Sequence, residues 1–455
     1  MDDARTRRLL ARSLGGRFNR RDLTRGLAGL GLGAPVIGAG FSPRGTAAHA
    51  QGAADLCSTD EVELLYMTHA HDPATAVNEQ LIAEFTALYP NVKITYDHAP
   101  HENYEQKVLT AYAGGEGPDV FWAGDWMVPQ FVENNIVGEV MPAAYGVQTP
   151  EEFAGLYEPG ALDAFTVDGT ILTGGISEYN TFSLIYHPSH FEEAGLSLPS
   201  DTEPMTWEQF AEIAGALTVM DGDTRVRSGI EWVYATPIWT VLLFEPMVRQ
   251  LGGELIDPES GEPNFASEQM IQVMQYAQDL RFEHNANDPA FLVDLLDDFA
   301  NERISVIVAG PWALPGIAGI NPNVAPAVAP LPVFEGGTRT TTLYAWAWFV
   351  NANTSDAKRC WSWNFLSFLT SKAQLWWDNV GYIQPRTDIT VEEQPLADYY
   401  VETLPGMTVF NEDFPHGQYQ FRSTRYFEIS SAWNRAFQEI MEGADVKEVL
   451  ENTSV

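Results

Sequence analysis

The stretch Gly114–Trp126, GGEGPDVFWAGDW, sets two tryptophans around one aspartate: Trp122, Asp125 and Trp126. The flat rings offer apolar faces, and the carboxylate offers two hydrogen-bond acceptors. His69 and His71 lie near Asp72, but two histidines at i, i+2 beside one aspartate are a weak metal pattern. A loop lining a cleft is the better reading of that segment. No G-x-S-x-G, H-E-x-x-H or P-loop motif is present, and none of the many carboxylates sits in a recognisable hydrolase setting. What recurs is a set of aromatic residues with a few polar groups, the inventory of a binding site rather than of a catalytic one.

The elements around these residues follow from periodicity. VELLYM (Val62–Met67) reads as a buried strand. Ala74–Tyr89 carries Val77, Leu81, Ile82, Phe85 and Leu88 at helical spacing. VKITYD alternates as a second strand, Asn103–Ala113 reads as a second helix stopped by Gly114-Gly115, and DVFW reads as a third strand. Strand–helix alternation implies parallel pairing with helices on the sheet faces. In such sheets ligands sit beyond the carboxyl ends of the strands, which is where Trp122–Trp126 falls. Further on, Thr149-Pro150-Glu151-Glu152 and Thr206-Trp207-Glu208-Gln209 are capping boxes. Ser267 opens an amphipathic helix, and Asn353–Thr370 forms another, heavy in aromatics that read mostly as core. The Pro/Gly-rich GPWALPGIAGINPNVAPAVAPLP reads as a loop with short extended pieces.

A chain of 455 residues exceeds the usual limit of one core, so at least two domains are expected. The formal net charge is −37, and residues 1–50 hold nine Arg against three Asp, which leaves the remainder at −43. A surface that acidic repels phosphate backbones, so nucleic acid is excluded as a partner. Within the first fifty residues the twin arginines Arg20 and Arg21 precede an apolar stretch from Leu27 to about Phe41. That stretch is shorter than the roughly 20 residues a membrane span needs. It ends in Ala48-His49-Ala50, an A-x-A pattern. Residues 1–50 therefore read as a twin-arginine signal peptide cleaved after Ala50, which makes the Tat export machinery a partner and the mature protein extracytoplasmic. Cys57 and Cys360 form no metal spacing. An exported chain could bridge them and tie its mature start to a late helix, although their positions do not decide whether the sulfurs meet.

Over nearly the whole mature chain the sequence resembles the extracellular solute-binding components of ATP-driven importers, in the class that includes maltose-binding protein. The resemblance is carried by FTALYPNVKITY, by YEQKVLTAYAGGEGPDVFWAGDW, by the long segment from ALDAFTVDGT to MTWEQF, by WTVLLFEPMVRQLGGELID and by FANERISVIVAGPWALPGI. Departures are Thr170 where the family often has Tyr, Gly174-Gly175-Ile176 without the usual Pro, and His187 in place of Asn. The resemblance implies an α/β, two-lobed periplasmic-binding-protein fold (type II, maltose-binding-protein-like), each lobe a mostly parallel sheet flanked by helices. The expected division is residues 58–178 plus 346–388 for lobe 1 and 180–342 plus 390–455 for lobe 2. The expected ligand is a mono- or oligosaccharide held in an aromatic-lined cleft. The membrane permease subunits of an ABC (ATP-driven) importer are the expected partner. A monomer with no cofactor, no metal and no enzymatic activity is expected.

By the same resemblance, Trp122 and Asp125 match a segment that supplies a ring and an acid to the sugar. Their alternatives are a strand-end core residue and a helix N-cap. Trp126 is either a second platform or core. Glu178, Tyr179 and Asn180 fall at the first crossing between lobes, and one of them should reach ligand. Trp239, Trp312, Tyr344 and Trp346 complete the cleft, and Arg386 either closes its rim or forms a salt bridge. Two other functions fit the same inventory: a receptor for a quaternary ammonium or other non-sugar solute in an aromatic cage, and a secreted glycoside hydrolase with two carboxylates about 5–10 Å apart.

Overall fold

The computed structural model describes residues 56–455 apart from 234, 235 and 405. The signal peptide and its cleavage after Ala50 lie outside the described residues. The first half of the chain alternates: β1 Val62–His69, α1 Asp72–Leu88, β2 Val92–Ala99, α2 His101–Ala113, β3 Val120–Gly124. β1 pairs in parallel with both β2 and β3. Helix α1 buries Val77, Leu81 and Phe85, one stripe at helical spacing. The turn into β3 is pinned by Asp119. Its carboxylate accepts the Leu65 N–H at 2.9 Å and the Thr354 hydroxyl at 2.6 Å, and it pairs with Lys358 at 2.9 Å. That network sets where β3 ends, and so where Trp122, Asp125 and Trp126 stand.

The chain leaves this first sheet along β4 Gly175–Thr181 and, one residue later, enters a second sheet as β5 Ser183–Tyr186. The second sheet adds β6 Val219–Asp221, β7 Thr224–Ile230, β8 Ile304–Ala309 and β9 Ala327–Ala329. Its order is β9-β5-β8-β7-β6, with the β8–β7 pairing parallel and the others antiparallel. The chain returns along β10 Thr341–Val350, every residue of which is buried. β10 runs antiparallel to β3 and β4 and parallel to β11 Gly417–Tyr419. The first sheet thus reads β11-β10-β3-β1-β2, with β4 also on β10.

Helices α3 Trp207–Leu217, α4 Pro237–Gln250, α5 Glu268–Phe282, α6 Ala313–Ile320, α7 Asp356–Thr370, α8 Ala373–Val380 and α9 Tyr426–Met441 cover the sheets. Thr206 and Gln209 form the full capping box of α3. The Pro/Gly-rich stretch read as a loop contains α6 instead. Pro315 lies in the first turn, where its missing N–H leaves no bond unmade, and Ala313, Leu314 and Ile317 are buried. Adjacent tryptophans on α8 serve two separate core clusters: Trp376 packs on Trp348 and Trp377 on Tyr400. Cys57 and Cys360 do meet, as a disulfide with Cα atoms 5.6 Å apart, fastening the start of the described chain to α7. No described helix is long and apolar enough to cross a membrane.

Candidate functional site

A cavity of about 160 Å³ opens where strand ends of the two sheets face each other. Its floor is a piece of the first sheet. Antiparallel register places Glu178 opposite Trp346 and Asn180 opposite Tyr344. Residues two apart share a sheet face, so these four side chains lie on one side and Tyr179 on the other. Tyr179 indeed stacks on Phe414 with ring centroids 5.1 Å apart. Glu178 Oε1 accepts from the Tyr344 hydroxyl at 2.6 Å and from the Asn180 amide at 2.7 Å. Oε2 remains for whatever occupies the cavity. Glu178 is 5% exposed, and burial pushes its carboxyl up to about 7 against the pull of those two donors. Near neutrality the group can therefore accept or donate a hydrogen bond.

The walls are aromatic. Trp126 and Trp346 meet edge to face at 5.0 Å, His69 packs on Trp346 at 5.1 Å, and Tyr382 reaches His71 Nδ1 at 3.4 Å. Opposite them, Phe182 stacks on Trp239 at 5.6 Å and Trp239 meets Trp312 at 5.8 Å, with Ile238 and Leu242 of α4 behind. No Lys or Arg lines the cavity among the described residues.

Two glycines explain how the rings fit. Gly124 closes β3 and Gly310 follows β8, each two residues ahead of a tryptophan. A Cβ on Gly124 would overlap the Trp126 ring, and one on Gly310 would stand 2.6 Å from the Trp312 indole nitrogen and 3.2 Å from the Tyr344 hydroxyl. Only glycine lets either ring fold back onto its strand end.

Residues 72–376 match the family described as bacterial extracellular solute-binding protein. This chain belongs to that family. Among relatives, the lactose-binding protein of Rhizobium radiobacter is 22% identical over 68% of this chain and 71% of its own length. The chain spans only 38% of the length of a second relative, 23% identical, a lipoprotein of Streptomyces antibioticus. The fold matches a solute-binding protein of Thermotoga lettingae bound to alpha-D-tagatose, with TM-score 0.72, 20% identity, and 86% and 97% of the two chains covered. It also matches maltose-bound MalE3 of T. maritima, with TM-score 0.70, 20% identity and the same coverage. These likenesses establish the two-lobed fold.

Within this solute-binding protein the candidate residues divide. Trp126, Glu178, Trp239, Trp312, Tyr344 and Trp346 line the cavity. Trp122 and Asn180 stand directly behind it. The Trp122 ring lies 4.5 Å from Trp346 and its indole N–H donates to the Ser177 hydroxyl; Asn180 holds Glu178. Asp125 does not face the cavity. It is 0% exposed, with Oδ1 accepting the Ala345 N–H at 3.0 Å and Oδ2 paired with Arg422 at 3.1 Å. Nor does its side chain cap the helical turn it begins. Burial lifts its carboxyl to about 6 even beside that guanidinium. Arg386 is also away from the cavity. It is 8% exposed, bidentate to Asp388 at 2.7 Å and laid over the Tyr157 ring.

His69 and His71, expected at the cleft but not among the ligand-binding residues, also line the cavity, as do Phe182, Ile238, Leu242 and Tyr382, which the sequence pattern does not single out. Phe182 could have been found as the single residue linking two strands at a crossing. Tyr382 follows Gly381, whose φ of 77° is the left-handed stop of α8, and nothing local shows that the chain then turns toward the cavity.

Proposed function

We propose that the protein is an extracytoplasmic receptor that binds a neutral carbohydrate in this cavity and delivers it to the permease of an ABC importer. The observation that carries the reading is the lining itself: tryptophan, tyrosine and phenylalanine rings around one buried carboxylate, with no lining Lys or Arg among the described residues. Rings suit the C–H faces of a sugar, and Glu178 suits a pair of its hydroxyls. A buried hydroxyl left without a partner costs roughly 1–3 kcal/mol, so the hydroxyl pattern sets specificity. The residues in contact are Trp239, Trp312, Tyr344, Trp346, Glu178, His71 and Tyr382, with Trp126 backing the wall. Lobe 1 comprises residues 58–178 and 346–388 and lobe 2 residues 180–342 and 390–455, with ligand bridging them so that closure is favoured only when the cleft is filled. Export by the twin-arginine route, cleavage after Ala50, a monomeric state and the absence of turnover belong to the same reading.

Titrating a panel of mono- and disaccharides while following tryptophan fluorescence tests it. A saturable change with a neutral sugar, and no product formed, is the expected result. A response to quaternary ammonium compounds alone replaces the sugar with a cation, and hydrolysis of aryl glycosides replaces the receptor with an enzyme.

A further inference from the structure

At the end of the second sheet away from the cavity, two histidines and a glutamate converge. β5 and β8 are antiparallel, with Ser183 against Ala309 at the cavity end and Tyr186 against Val306 at the other. His187 follows β5 and stands just ahead of the helix Pro188–Glu193 without capping it through its side chain, and His190 lies within that helix. Glu302 precedes β8. One ligand-capable atom from each of the three lies within 4.8 Å of the others, the one such group among the described residues. We propose that His187, His190 and Glu302 form a binding site for a divalent transition metal of the zinc class.

Each imidazole is already held as a metal ligand needs to be. His187 Nε2 lies 2.9 Å from the Phe299 carbonyl oxygen, which can only accept, so Nε2 carries the proton and Nδ1 keeps its lone pair. His190 Nδ1 lies 3.1 Å from the Ser305 hydroxyl, and donating that bond frees Nε2. A second ring nitrogen bonded to a carbonyl or hydroxyl is the arrangement that orients histidine ligands in metal sites. The rings are buried, at 3% and 4% exposure, and stack at 4.5 Å.

Glu302 is exposed and supplies the negative charge from the solvent side. It ends the helix Leu295–Ala300 in the left-handed region, with φ 60°; its N–H bonds the Phe299 carbonyl and the Arg303 N–H bonds that of Asp298. Glycine or asparagine is favoured in that position, so a glutamate there forgoes stability and sets a carboxylate beside the histidines. The nearby charges are Arg227, which opposes a cation, and Glu193, which neutralises it at 2.8 Å. Two imidazoles and a carboxylate suit zinc, copper or nickel better than magnesium or calcium, and leave a fourth position for water.

The test uses untagged, chelator-stripped protein titrated calorimetrically with zinc, with cobalt absorption reporting coordination. One zinc per chain is expected, with affinity weakened by about tenfold or more in Glu302→Gln and in His190→Gln. Sugar-induced fluorescence is expected to be unchanged in Glu302→Gln, so the cavity reading stands or falls separately. Absence of zinc binding, binding unaltered in the surface variant Glu302→Gln, or binding lost in His71→Ala overturns the proposal. Glu302→Gln decides the matter even if His190→Gln fails to fold.

Discussion

Gly124-Asp125-Trp126 stands at the end of a strand of the first sheet and Gly310-Pro311-Trp312 follows one of the second, and in both the missing Cβ lets the ring lie back on the strand end. Beyond that the two turns part. In the first, the middle residue is an acid that has drawn in Arg422, and the Trp126 N–H donates to Glu105 at 2.8 Å. The ring ends 0% exposed, a wall seen from behind. In the second, the middle residue is a proline with no charge to satisfy, and Trp312 stays half-buried against Trp239. One backbone device therefore serves fixation on one side of the cavity and ligand contact on the other. The partners of the flanking side chains decide which.

This contrast can be broken from either side. The largest expected effect is at Trp126: replacing it with alanine removes a fully buried ring and costs about 3–5 kcal/mol in urea unfolding. Trp312→Ala should leave stability nearly intact. Next comes Arg422→Met, which strands Asp125 without its cation and costs roughly 3 kcal/mol at pH 8. The loss should shrink at pH 5, because Asp125, already raised to about 6, then takes up a proton. Sugar affinity of the surviving fold is expected to be unchanged in Arg422→Met.

At the second turn the effect moves to binding. Trp312→Ala should weaken the sugar about 30-fold, roughly 2 kcal/mol. Smaller still is the pH dependence of the unliganded protein. Glu105, Glu178 and Glu245 are raised to about 7 and Glu231 to about 8, each mainly by burial. A raised carboxyl holds its proton in the folded chain after the unfolded chain has lost it, so stability falls as pH rises from the ordinary carboxylate range through the folded value. His187 and His190 are depressed and act oppositely below about 6.5, the ordinary histidine value. Between pH 6.5 and 8 the raised carboxyls lose their protons, and the melting temperature is expected to fall, less steeply in Glu178→Gln. Smallest is Arg386→Met, for which ligand affinity is expected to stay the same, since its guanidinium is spent on Asp388.

The strand–helix alternation, the helix caps and the strand-end position of the tryptophans were readable because each depends on residues a few positions apart. The floor was partly readable: Glu178 and Asn180, like Tyr344 and Trp346, announce a shared face by their spacing of two. The role of Asp125 was not readable, because Arg422 lies 297 residues away and only the folded chain joins them. Of the two readings of Arg386, the salt bridge is the one the structure shows; its partner Asp388 is two residues on, and so local a pair leaves no sign of burial. The helix at Ala313–Ile320 was hidden by Pro315, Gly316 and Gly319, which read as turn formers although the proline falls in a first turn.

The proposed ligand lies between the rings of the two sheets' strand ends, above Glu178. Calorimetric titration of the best sugar from the panel into the native protein and into Trp239→Ala/Trp312→Ala tests this placement most directly. One site per chain is expected in the native protein and loss of detectable binding in the double variant, with both melting cooperatively. Equal affinity in the two proteins would contradict that placement.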